Sequence, residues 1–159
     1  MHELLAAAVE RLDAAGARDE LLVELIRPRW LGVRLAARLD TVDRVWRLGV
    51  VLLGRGGALY ATGTTLRVTE PRHPNAQSRL AEDRRELRAL AMKSGISGGE
   101  TINLDAVDID LDTVTETSRP VARRDGGLVV AWAPGSDLTP FGAYLDERIS
   151  LLVDPPEGA

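Results

Sequence analysis

Cysteine is absent from the 159 residues, which removes thiolate chemistry, cysteine-ligated zinc and disulfides together. Histidine is nearly absent: His2 and His73 stand alone, too few for a histidine-built metal site. Aromatic residues make up 4% of the chain, so its core must be aliphatic, built from Leu, Val and Ala. Lysine occurs once, at Lys93, and the other 19 of the 20 basic residues are arginine. GC-rich coding produces that bias, which points to a bacterial source and not to a ligand. No apolar run reaches the roughly 18 residues of a membrane-spanning helix. Met1–Ala8 has no basic leader and Glu10-Arg11 interrupts its apolar run, unlike a secretory signal. The expectation is a cytoplasmic protein with no membrane partner.

What is present describes one ordinary domain over residues 1–153, with 154–159 as a flexible tail. A chain of this length buries roughly 70% of its unfolded surface, so it needs no metal or cross-link. Apolar residues reach 45% and charged residues 28%, which excludes disorder over most of the length. The formal net charge is −4, but residues 1–93 hold 16 basic against 12 acidic groups, and residues 94–159 hold 4 against 12. Such a dipole can orient a partner. It lacks the clustered basic face of a nucleic-acid binder, and none is expected.

Leu4, Leu5, Ala8, Val9 and Leu12 recur at helical spacing, as do Leu21, Leu22, Leu25 and Ile26 before Pro28. Residues 3–27 therefore read as one broken helix or a helical pair. The period then changes to two: Leu31, Val33, Leu35, Ala37 and Leu39 alternate with Gly, Arg, Ala and Asp. Asp40-Thr41-Val42-Asp43 reads as a turn, Trp46–Leu53 as the next strand, and Gly54-Arg55-Gly56-Gly57 as a second turn. Ala58–Gly63 follows as a third strand, which Thr64–Thr69 continues or supplements. Both turns place Trp46, Leu48, Val50 and Leu52 on one apolar face, with Leu52 opposite Leu59.

Glu70–Asn75, with two prolines, is a loop, and Ser78 to about Met92 a helix with mixed charges on its outer side. Thr101–Asp112 alternates apolar and polar residues with a phase switch at Ala106-Val107, the mark of a bulge or corner. Val121–Arg124 and Leu128–Ala133 flank the hairpin signal Asp125-Gly126-Gly127. Thr139-Pro140 reads as a cap with proline at the first helical position, opening a helix through Phe141, Tyr144, Leu145, Ile149 and Leu152. The class is α+β: an antiparallel meander, as a curved sheet or small barrel, with N-terminal helices, one inserted helix and a C-terminal capping helix.

Asp108, Asp110 and Asp112 imitate the start of a calcium loop, but Thr113 stands where its glycine belongs and Arg119 where its bidentate glutamate belongs. The glycine-rich stretches at 54–57 and 97–99 lack the strand-before, helix-after setting of a phosphate loop. No catalytic residue, metal site or cofactor is expected. Arg34, Arg38 and Arg47 fall on the non-core face of the first hairpin beside Tyr60, where guanidinium groups suit an anion or carboxylate. His73 lies in the proline loop, an exposed position where an imidazole can serve binding. These five are the candidate ligand or partner residues.

Residues 44–153 resemble a bacterial pleckstrin-homology or GRAM-type domain. The motifs carrying the resemblance are the Trp46–Gly63 strand pair with its Leu-Tyr-Ala-Thr run, the step Ile102-Asn103-Leu104-Asp105-Ala106-Val107, and Leu128–Trp132 before the Phe141–Val153 helix. The resemblance implies a non-catalytic binding or scaffold module. The family's lipid-binding members carry a basic first loop; here the matching loop is acidic, so phosphoinositide recognition does not carry over. The alternative is a small α+β enzyme or metabolite binder in which Arg34, Arg47, Tyr60 and His73 converge on a cavity. The apolar stripes at both ends of the chain exceed what one meander covers, so a homodimer through the N-terminal helices or a sheet face is expected. A second sheet from residues 101–133 is the competing cover and would leave a monomer.

Overall fold

The run Glu20–Ile26 forms a strand (β1), not the helix its spacing suggests. In a computed structural model, which describes residues 2–31, 33–69, 79–133, 135 and 137–155, β1 is flanked by hydrogen-bonded strands on both sides. A short, nearly continuous apolar run fits either a buried strand or a helix segment. Pro28 limits its length, and strand neighbours on both edges take up its backbone hydrogen bonds. The N-terminal helix is therefore only α1, His2–Ala14.

The chain divides into two compact units. The first comprises Met1–Asp19, Arg44–Thr62 and Ala106–Ala159; the second comprises Glu20–Asp43 and Gly63–Asp105. Strand β4, Arg38–Leu48, contributes its first residues to the second unit and the rest to the first.

In the second unit, β7 (Thr64–Arg67) pairs antiparallel with β8 (Thr101–Leu104), and β8 pairs parallel with β1. The sheet is thus mixed, which corrects the expectation of a purely antiparallel meander. A two-residue hairpin, β2 (Arg29–Trp30) and β3 (Val33–Arg34), replaces the long first strand expected over 31–39. Helix α2, Arg79–Lys93, matches the expected inserted helix; its expected start at Ser78 and the 70–75 loop lie outside the described residues. Leu21, Val23, Leu39, Leu66, Val68, Ala91, Ile96, Ile102 and Leu104 make this unit's core.

In the first unit, β4, β5 (Val51–Gly54), β6 (Leu59–Ala61) and β9 (Val107–Asp108) form an antiparallel meander. Its first turn is not at Asp40–Asp43. That stretch lies inside β4, where Thr41 and Val42 suit a strand and Arg38 neutralises Asp40 at 2.7 Å. The chain turns instead at Gly49-Val50, between the paired residues Leu48 and Val51. Gly49 has φ +66°, and glycine first in a two-residue loop is what a II′ hairpin needs. The register moves by one accordingly: Trp46 faces Leu53, and Leu53 faces Leu59. Leu52, expected on Trp46's side, lies opposite Arg47 on the other face.

A second, three-stranded sheet of β10 (Val121–Arg124), β11 (Gly127–Val130) and β12 (Thr139–Pro140) belongs to the same unit. Its tight turn uses Asp125 and Gly126, both with positive φ, as a type I′ hairpin requires. Helix α3, Phe141–Val153, follows at once; its N-cap is Pro140, with no side-chain capping bond, so Thr139 does not cap it. Leu5, Ala8 and Leu12 of α1 and Phe141, Tyr144, Leu145 and Ile149 of α3 are buried in one core with Trp46, Leu48, Val51, Leu53 and Leu59. Both terminal stripes thus find cover inside this unit. Neither unit's sheet closes on itself: β7 is an edge in one and β9 in the other. The class is α+β, open and not a barrel.

Candidate functional site

Polar groups that could serve chemistry are mostly committed to the fold. Asp19 is nearly buried and accepts from Arg44 at 2.6 Å and from Arg55 at 2.8 Å. The hydrogen bond from Arg44, with Arg55 adding to it, holds the Asp19 carboxyl below its ordinary value against the opposing effect of burial. Arg55 also binds Asp13 and lies 4.9 Å over the Trp46 ring. This cluster fastens the end of α1 to the meander and leaves no spare donor set for a ligand.

Of the residues expected to bind a ligand, Arg47 and Tyr60 belong to the first unit and Arg34 and Arg38 to the second. Arg47 and Tyr60 share one face, since both pair with Leu52, one on either side. Two strand spacings, roughly 9–10 Å, separate them. Arg38 is exposed in the second unit and paired with Asp40, donating from Nε and Nη2 at 2.7 and 2.9 Å. Only the backbone of Arg34, in β3, is described, and His73 lies outside the described residues.

Asp108, Asp110 and Asp112 lie at and after the end of β9. Asp110 accepts the backbone N–H of Asp112, closing a turn and not a coordination sphere. No group of three potential ligands with metal-binding placement exists among the described residues. A small hollow of about 170 Å³ beside His2 and Gly57 has this row on its rim.

A groove of about 570 Å³ opens within the first unit. Val50, Ala61 and Thr62, from the β4–β5 turn and the end of β6, form one side. Arg119 and Pro120, joined by a cis peptide bond, lead into β10 and form another. Ala131, Trp132 and Leu138 close it from the segment between β11 and β12. The Ala131 N–H donates to the Pro120 carbonyl at 3.1 Å, and the Thr62 N–H to Val50 at 3.2 Å, so two sides are tied at the backbone. Trp132 is 54% exposed and Leu138 46%, large apolar side chains left facing this opening. Among the described lining residues only Arg119 carries a charge, and Thr62 has the only hydroxyl.

The sequence reading missed this site because Leu128–Ala133 reads as one continuous strand. Strand β11 ends at Val130, and Trp132 falls in the connection to β12. The usable signal was a tryptophan immediately before the loop-forming Ala133-Pro134-Gly135-Ser136.

No family model matches the chain, and neither a curated protein nor a solved structure matches it. Among the described residues no helix is long and apolar enough to cross a membrane.

Proposed function

We propose that this chain is a non-catalytic binding module whose ligand or partner occupies the Trp132 groove. The observation that carries the reading is a half-exposed tryptophan set in an apolar opening of ligand-site size. Its described lining supplies one hydroxyl and one guanidinium, with no carboxylate or imidazole beside them for general acid–base work. The pleckstrin-homology or GRAM resemblance of residues 44–153 belongs to the same proposal, as does a bacterial, cytoplasmic setting drawn from composition.

Amide chemical-shift mapping of a small-fragment library tests it. Fragments are expected to perturb Thr62, Ala131 and Trp132 together. Perturbations centred on Arg47 and Tyr60 would instead favour the metabolite-binding or enzymatic cavity built around those residues. Self-association is a second reading. With the stripes of α1 and α3 covered, it draws on the exposed Leu151 and Val153 at the end of α3. Light scattering that returns the 17.2 kDa of one chain at micromolar concentration rejects it.

A further inference from the structure

We propose that the Trp132 groove takes a small apolar monocarboxylate, with its hydrocarbon part against Trp132, Pro120 and Leu138 and its carboxylate on Arg119. The inference rests on the reading of the groove as a binding site and names the chemistry of its ligand.

Charge decides the class. Arg119 is the one charged group among the described lining residues, and no carboxylate among the described residues pairs with it. Glu116, three residues before it, gives its carboxylate to Arg124 at 3.6 Å. Arg119 Nη1 donates to the carbonyls of Ser118 at 2.7 Å and Glu116 at 3.5 Å, which fixes one edge of the guanidinium. Nε and Nη2 donate to no acceptor among the described residues, leaving part of the planar fork to meet a carboxylate. One guanidinium on a chain of net charge −4 suits a monoanion and not a polyanion.

Size and surface decide the rest. A volume of about 570 Å³ lies within the range of small-ligand sites, roughly 300–1,000 Å³. Ala61 and Ala131 leave that space open, and Trp132 offers a broad apolar face beside it. An exposed ion pair contributes little in water, so apolar contact supplies most of the affinity and Arg119 the selectivity.

Calorimetric titration of the full chain with octanoate, octan-1-ol and octylamine separates these contributions. Octanoate is expected to bind about fivefold more tightly than octanol, with octylamine weakest. Arg119→Gln should bring octanoate to the level of octanol and leave octanol unchanged; Arg119→Lys should keep part of the preference. Trp132→Ala should weaken octanoate and octanol alike. An unchanged denaturation midpoint in each variant certifies its fold. Equal binding of octanol and octanoate, or Arg119→Gln with octanoate unchanged, overturns the carboxylate assignment while the groove remains a binding site. Binding of none of the three overturns the ligand class, and the amide map then decides separately whether the groove binds anything.

Discussion

The hydroxyl of Tyr144 fills the space that a side chain on Gly49 would need. It accepts the Val50 N–H at 2.9 Å and donates to the Leu48 carbonyl at 2.8 Å, so a helix residue completes the hydrogen bonding of a strand turn. Burial pushes the phenol up from its ordinary pKa, keeping it a donor through the physiological range. Tyr144→Phe is expected to cost about 1–3 kcal/mol by leaving two backbone groups unmet. Gly49→Ala adds left-handed strain of about 1–2 kcal/mol and displaces the hydroxyl. Because both variants break the same contact, the double variant should cost less than the two singly. Strict additivity in urea unfolding would show that the hydroxyl and the turn are independent.

Trp46 is fully buried, and its Nε1 donates to the Ala17 carbonyl at 3.0 Å. Trp46→Ala is expected to cost about 3–5 kcal/mol, the range for deleting a large aromatic from a core. An unfolding midpoint equal to wild type would contradict the register that pairs Trp46 with Leu53.

Asp19 links acid sensitivity to the first unit. Its carboxyl is held below the ordinary 3.8 chiefly by the hydrogen bond from Arg44. A carboxyl depressed in the folded state contributes stability above its unfolded pKa, and that contribution fades as pH falls through the folded value. Asp19→Asn should therefore be less stable than wild type at pH 7, and the gap should narrow below about pH 4. A gap that stays constant from pH 7 to pH 3 would remove Asp19 from the ion-pair cluster.

Asn103 is buried in the second unit, where its amide donates to the Glu20 carboxylate at 2.8 Å. Asn103→Asp would set a second carboxylate against Glu20 out of water, which raises the new group's folded pKa. The variant should be destabilised most at neutral pH and should recover toward wild type near pH 4.5. Guanidinium midpoints at the two pH values check the sign.

Local signals were legible where turn chemistry and periodicity agreed. Asp125-Gly126 marked its hairpin, Gly54–Gly57 its loop, and the stripe Phe141–Leu152 its helix, because each needs only its neighbours. Leu21–Ile26 misled, since a six-residue apolar run has the same spacing in a strand and in one and a half helical turns. Gly49 was hidden inside an alternating run, and a single misplaced turn moved Leu52 to the wrong face. Of the candidate ligand residues, Arg47 and Tyr60 share one face, whereas the groove described above is lined by Arg119, Trp132 and Thr62. Those three line one opening although Thr62 and Trp132 are 70 positions apart, which no local pattern encodes.

The way the two units share the chain also bears on biosynthesis. Helix α1 meets its partner α3 only after residues 141–153 exist; Arg11 reaches Ser150 across 139 positions. The second unit is itself built from Glu20–Asp43 and Gly63–Asp105, so neither unit corresponds to an uninterrupted stretch that could be cut out and expressed. During translation the amphipathic first helix must wait on the ribosome with its apolar stripe uncovered. Folding of the first unit therefore waits until α3 has been made, however early α1 emerges.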